Sequence, residues 1–189
     1  MSIFLETPRL RLRRFTEADE GDLAELHGSP EVMRHITGER PTARAEIRDR
    51  ILPMLLGYYQ RFEGFGYWVA EHRATGGFLG WFLFRPRRPE PREGEIELGY
   101  RLRRSAWGQG YATEGSVALI RKGFTELGVE RVFAEAMAVN HGSRRVMEKA
   151  GLTLVQSFQR LDDVDGAEHD LVEYALTRAD WQSAPSYRQ

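Results

Sequence analysis

Leu10 and Leu12 alternate with Arg9, Arg11 and Arg13, the period-two pattern of a strand with one buried face. Thr16 is placed to cap a helix running to about His27, with Asp19 in its first turn. Pro30 opens a short helical piece. From Thr42 onward the apolar residues Ile47, Ile51, Leu55, Tyr58 and Phe62 form a helical stripe, which Pro53 is expected to kink or split. After Gly64 and Gly66 the period changes. Tyr67–Glu71 and Phe78–Phe84 read as strands joined by a turn holding Gly76 and Gly77. A Pro- and Arg-rich loop follows from Arg85 to Glu93, then a strand over Glu95–Leu102. A helix after Gly110 puts Val117, Ile120, Phe124 and Leu127 on one face and stops at Gly128. Arg131–Val139 is a strand and Ser143–Ala150 a short helix ending at Gly151. Leu152–Leu161 and His169–Thr177 form a hairpin around Asp165 and Gly166.

This order of elements implies an α/β protein, a mixed sheet covered by helices. At 189 residues the chain is expected to form one domain over 1–182, with a frayed tail over 183–189. Lys and Arg total 27 against 28 Asp and Glu, so the basic footprint of a nucleic-acid binder is missing. There is no cysteine, which excludes disulfides, thiolate metal sites and a cysteine nucleophile, and favours a reducing, cytoplasmic home. The first residues lack the basic-then-apolar pattern of a signal peptide, and no apolar run approaches the roughly 18 residues of a membrane span. The five histidines show no metal-ligand spacing, so no metal is expected.

The most informative stretch is Glu95 to Glu114, where a strand pattern runs into Gly108 and Gly110 and a helix pattern starts at once. Backbone N–H groups exposed by a tight glycine turn, beside the positive end of a helix, suit a phosphate or pyrophosphate. The alternative is a tight turn with no ligand. A Rossmann fingerprint fails at Thr113, where the third glycine would stand, and no Gly-Lys-Ser/Thr of a Walker loop occurs.

The run Glu97-Leu98-Gly99-Tyr100, followed by Trp107-Gly108-Gln109-Gly110-Tyr111-Ala112-Thr113-Glu114, closely resembles the acetyl-CoA motif of the GNAT N-acetyltransferases, in the branch of the ribosomal-protein N-terminal acetyltransferases of RimJ/RimL type. Asn140, Ser143 and Met147-Glu148-Lys149-Ala150-Gly151-Leu152 resemble a second block of that branch. Glu6-Thr7-Pro8-Arg9-Leu10-Arg11-Leu12-Arg13 resembles its opening. Two departures stand out: Ser105 replaces a Gln or Arg before the first motif glycine, and Leu152 replaces an aromatic. The resemblance implies a GNAT-type fold, with a mostly antiparallel central sheet that splays to admit acetyl-CoA. It also implies direct acetyl transfer to a primary amine.

The resemblance implies cofactor contacts from Tyr100 and Leu102 on the strand and from Trp107, Gly108, Gln109, Gly110, Tyr111, Ala112 and Thr113 in the turn. Arg103 and Arg104, next to the glycines, are candidates for the CoA phosphates. Asn140 is a candidate for the pantetheine amides or, alternatively, a helix cap. Ser143 matches the residue that protonates the leaving thiolate in the resembled branch, or else starts a helix; cofactor contact is open to it in either case. Glu97 is a candidate general base, acting directly or through water; the alternative is that it lines a solvated face with Glu95. The acceptor is expected to be a peptide or protein N-terminus, whose amine is less basic than lysine's. A small-molecule amine and a non-catalytic acyl-CoA-binding module are the alternatives. No membrane or nucleic acid is expected as partner, and the protein is expected to be a monomer or homodimer.

Overall fold

A computed structural model gives the fold and describes residues 3–38, 40–86, 92–161 and 166–184. The elements are β1 (Ile3–Glu6), β2 (Leu10–Arg14), α1 (Glu20–Gly28), α2 (Pro30–Thr37), α3 (Arg44–Glu46), α4 (Leu52–Arg61), β3 (Gly66–His72), β4 (Phe78–Pro86), β5 (Glu95–Leu102), α5 (Tyr111–Glu126), β6 (Arg131–Met137), α6 (His141–Lys149), β7 (Thr153–Leu161), β8 (Glu168–Thr177) and α7 (Arg178–Ser183). The strands form one sheet in the order β1-β2-β3-β4-β5-β6-β8-β7. Every neighbouring pair is antiparallel except β5–β6. This is the α/β architecture with a mostly antiparallel sheet that the motif blocks implied.

Several boundaries moved. The strand at Leu10 is the second, because Ile3–Glu6 pairs with it. Thr16 caps a 3-10 turn over Glu17–Asp19, and α1 begins only at Glu20. The stripe from Thr42 is split as expected, but by a π turn over Ile47–Ile51, where the Leu52 N–H reaches the Ile47 carbonyl. Pro53 then falls in the first turn of α4, where a missing N–H costs least. The middle of the Pro/Arg loop, most of the last hairpin's turn and the tail from 185 lie outside the described residues.

β3 and β4 are apolar at successive positions because both faces of the sheet are covered. Trp68, Phe82 and Phe84 face a core shared with α5, α6 and the strands Leu10, Leu12, Ile96 and Leu98 belong to. Tyr67, Val69, Trp81 and Leu83 face a second core under α1, α2 and α4, with Leu23, Leu26, Ile47, Leu55 and Tyr58. The even/odd alternation follows from the pleat. Arg13 links the layers at one end: it donates to Asp19 Oδ1 at 2.7 Å and to Glu71 Oε1 at 2.6 Å, with Arg13 and Asp19 both buried.

Helix α5 approaches the sheet unusually closely. Its buried seam is Tyr111, Gly115, Ser116, Leu119, Ile120, Gly123 and Phe124; Val117 and Leu127, expected on that face, lie at its margin and are only partly buried. A Cβ on Gly115 would stand 2.3 Å from Cζ of Phe82, and one on Gly123 would stand 2.6 Å from Cζ of Phe84. Both rings therefore press against the helix backbone, which only glycine permits.

β5 and β6 touch only at their starts. Glu95–Glu97 pair with Arg131–Phe133, and there the pairing stops. Beyond that point β5 runs on to Leu102 paired with β4, and β6 runs on to Met137 paired with β8. The sheet is thus parted between its two central parallel strands, the splay implied by the motif.

His27 of α1 is buried against the sheet, accepting from Trp81 Nε1 at 3.3 Å. Burial and the nearby Arg101 cation push its imidazole down to about 3. The unfolded chain's imidazole takes up a proton near its ordinary 6.5, whereas the folded protein resists protonation until about pH 3. The stability due to neutral His27 is therefore complete above about pH 6.5 and falls as pH drops toward 3. In urea denaturation, His27→Gln should flatten this acid limb, and an unchanged slope between pH 6.5 and 4 would contradict the burial of a neutral imidazole. Gly115→Ala has a diagnostic sign. In an open helix the change stabilises by roughly 0.8–1.0 kcal/mol, but overpacking against Phe82 should outweigh it at about 1–3 kcal/mol. A net loss of stability in the same assay is expected.

Candidate functional site

The glycine turn sits at the open end of the parting. After Leu102 the chain makes a 3-10 turn over Arg104–Ala106, and Gly108 and Gly110 follow at φ 72° and 83°. These are left-handed values that an L side chain adopts only with strain. Gly110 is the N-cap of α5 and brings no side-chain acceptor. The first-turn N–H groups of Tyr111, Ala112 and Thr113 thus have no capping oxygen, and the dipole of a 16-residue helix adds positive potential behind them. A phosphate group fits those requirements.

A brace from the N-terminal strands fixes this turn. Glu114 accepts from Thr7 Oγ1 at 2.6 Å, from the Arg9 backbone N–H at 3.0 Å and from Arg9 Nε at 2.6 Å. Burial opposes the charge on Glu114, but the bonds from Thr7 and Arg9 outweigh it and hold the carboxyl below its ordinary value. Arg9 also donates to the Gln109 carbonyl at 2.9 Å and lies 4.6 Å over the Tyr111 ring. Gln109 Nε2 donates to the Ser105 carbonyl at 2.6 Å, and Trp107 Nε1 to the Leu102 carbonyl at 2.8 Å. The Trp107 ring is otherwise exposed.

The arginines are arranged differently from their order in the sequence. Arg103 donates to Asp22 at 2.8 Å and Glu25 at 2.9 Å, which fastens the end of β5 to α1. Arg104 lies 3.8 Å from Glu31 and stacks on Trp107. The guanidinium beside Gly110 belongs to Arg9, whose NH2 is 3.4 Å from where a Gly110 Cβ would be. Sequence proximity to the glycines selected Arg103 and Arg104; the signal for Arg9 lay in the opening Thr7-Pro8-Arg9 block, which carried no assigned role.

The other wall of the parting is α6. Asn140 is its N-cap, and Asn140 Oδ1 accepts the Ser143 N–H at 3.1 Å. The cap thereby fixes the start of the helix that carries Ser143. The Ser143 side chain lies close enough to the Tyr100 phenol to influence it, so β5 and α6 approach each other across the gap. Burial pushes the Tyr100 phenol up, against a smaller opposite pull from Ser143, so it stays protonated at neutral pH. The Leu102 side chain is buried in the core, which leaves its backbone for any polar contact.

Glu97 faces the opposite side of β5, towards α1, α2 and α4. Its Oε2 lies 2.8 Å from Arg85 NH2, and its side chain is 23% exposed. Glu95, on the same face, is buried and ion-paired to Arg131, which also binds Glu173 at 2.6 Å. The two glutamates therefore do not form a solvated face: each is held by an arginine. On this side lies a cavity of about 450 Å³ walled by Met33, Ile51, Leu55, Tyr67, Trp81 and Arg101. Among the described residues no group of three or more His, Asp or Glu is gathered to hold a metal ion. No described helix is long and apolar enough to cross a membrane.

Residues 9–153 match the family described as acetyltransferase (GNAT) domain. Over 184 residues the chain is 35% identical to the FsC-acetyl coenzyme A-N(2)-transacetylase of Aspergillus fumigatus, covering 94% of this chain and 77% of that protein. It is 33% identical over 152 residues to the uncharacterized protein YkkB of Bacillus subtilis, covering 78% and 84%. Among solved structures, RimL, a ribosomal L7/L12 alpha-N-protein acetyltransferase in complex with coenzyme A, superposes with a TM-score of 0.79 at 20% identity, covering 93% of this chain and 98% of that one. A GNAT acetyltransferase from Bacillus anthracis also gives 0.79, at 22% identity and coverage of 95% and 99%. These two likenesses concern the fold. With the parted sheet and the uncapped glycine turn, the family match is decisive: the chain is a member of the GNAT acetyltransferase family, an N-acetyltransferase.

Proposed function

We propose that this enzyme binds acetyl-CoA in the parting between β5 and β6 and passes the acetyl group directly to a primary amine arriving from the α1–α4 side. The observation that carries this reading is the end of β5–β6 pairing at Glu97, with an uncapped glycine turn at one end of the gap and Ser143 on its far wall. Along a strand, alternate residues aim both backbone N–H and C=O at the same neighbour. Those of β5 beyond Glu97 that aim away from β4 offer an open hydrogen-bonding edge inside the sheet, suited to an amide-bearing arm. The N–H groups of Tyr111 to Thr113 hold the pyrophosphate, and Arg9 stands beside it. When bound, acetyl-CoA supplies the thioester carbonyl that the amine attacks.

The chain's own groups then have defined tasks. A backbone N–H of β5 in the gap stabilises the oxyanion. Glu97, on the acceptor side and oriented by Arg85, takes the amine proton directly or through water. Ser143, with the protonated Tyr100 behind it, returns a proton to the leaving sulfur. With no cysteine in the chain, direct attack in a ternary complex is the simpler route. Two acceptors are in view. A peptide or protein N-terminus is favoured by its low amine basicity and by the RimL-like fold. A small-molecule amine is favoured by the 35% identity to an enzyme named for N(2) transacetylation. Mass spectrometry after incubation with acetyl-CoA and a pooled set of N-terminal peptides and small amines decides between them.

The proton roles give one kinetic test with two arms. Ser143→Ala should lower kcat at least tenfold while CoA affinity by calorimetry changes less than threefold, because a proton delivered to sulfur matters in the transition state. Glu97→Gln should depress kcat/KM most near pH 7 and recover partly by pH 9, as free amine becomes available. If both variants keep wild-type pH–rate profiles, the assigned roles are wrong.

A further inference from the structure

The cavity on the α1–α4 face holds a cation that acetyl transfer, as described, does not use. Arg101 lies on β5, on the same face as Gly99 and Glu97. Its NH1 is 3.0 Å from Nδ1 and 2.9 Å from Nε2 of His27, and its guanidinium lies 5.0 Å from the centre of the Trp81 ring. Its Nε is buried with no hydrogen-bond partner. Among the described residues no carboxylate pairs with it. Other buried or half-buried arginines along the sheet are treated differently: Arg13 has Asp19 and Glu71, Arg85 has Glu97, Arg103 has Asp22 and Glu25, and Arg131 has Glu95 and Glu173. The cavity's own carboxylate, Glu46, is ion-paired to Arg50. Its histidine, His27, is neutral at physiological pH. Burial lowers Arg101 only to about 10, so it stays charged at neutral pH.

A buried guanidinium without a carboxylate is costly in the empty protein and is offset when an anion arrives. The cavity brings it to where an acceptor would lie, between apolar walls from Met33, Ile51, Leu55 and Trp81. Arg101 is two residues past Gly99, about 7 Å along the strand, while the parting opens just after Glu97. An acceptor whose amine enters the gap thus reaches Arg101 with a group several bonds away. We infer that Arg101 is a specificity-determining residue that receives a carboxylate of the acceptor, so that the preferred acceptor is an amine carrying an acid group: an amino acid, an aminoalkanoate or an acidic peptide. Arg's planar fork donates to both carboxylate oxygens. This inference rests on the acetyl-transfer reading above and names its substrate class.

The test uses matched pairs that differ by one carboxylate: lysine and cadaverine, 5-aminovalerate and pentylamine, and acidic peptides and their side-chain amides. Binding to the CoA-loaded protein is read by calorimetry, and turnover by thiol release. In at least one pair the carboxylate member should lead by tenfold or more in affinity or kcat/KM. Arg101→Met should erase that lead while leaving CoA affinity within threefold and the melting temperature unchanged or raised. Arg101→Lys, which keeps the charge without the fork, should retain part of the lead; it also serves if the Met variant fails to fold. Absence of a carboxylate preference in every pair, or a preference that survives Arg101→Met, overturns the inference. Failure to bind CoA or release thiol with any amine would instead count against the acetyl-transfer reading, and the calorimetric arm keeps the two failures apart.

Discussion

Two parallel strands that start paired and then part leave the backbone of β5 beyond Glu97 without a partner strand on its β6 side. Everything else that matters is arranged around that parting. A buried backbone group left unpaired is costly, so a sheet tolerates such a gap only where something else satisfies it. An extended arm with amide groups, as proposed for the cofactor, meets that need. The gap also joins the two faces of the sheet. On one face α6 brings Ser143 to Tyr100; on the other, Glu97 and the Arg101 cavity face α1, α2 and α4.

Keeping the gap open requires that its borders be rigid. Helix α5 supplies one border, and its close seat on Phe82 and Phe84 depends on Gly115 and Gly123. The start of that helix is locked from outside by Thr7 and Arg9 through Glu114. Arg103 ties the end of β5 to α1. These contacts are structural, yet they determine where the first-turn N–H groups point. A site built from backbone groups can be tuned only through such supports, because the groups themselves carry no side chain to vary.

Much of this was legible in the sequence. The order of strands and helices after Gly64, the hairpin at the end, and the strand–glycine–helix unit all followed from periodicity and turn residues, because both cores fill alternate positions along the strands. The splay came from the motif resemblance and not from periodicity, since pairing that stops after three residues leaves no mark on the hydrophobic pattern. The placement of charged groups was not legible. Arg103 and Arg9 differ in role because of which carboxylates the fold brings near them: Asp22 and Glu25 in one case and Glu114 in the other. Those partners are distant in the chain. Arg101 was likewise invisible, for its importance lies in the carboxylate it lacks.

The central claim is that the parted strands and the uncapped turn form one continuous cofactor site. Backbone amide hydrogen exchange with and without CoA tests it most directly. Added protection is expected at Tyr111–Thr113 and along β5 from Leu98 to Leu102 together, with little change in β2 and β3. Protection confined to the helix start, or spread evenly over the whole sheet, would contradict it.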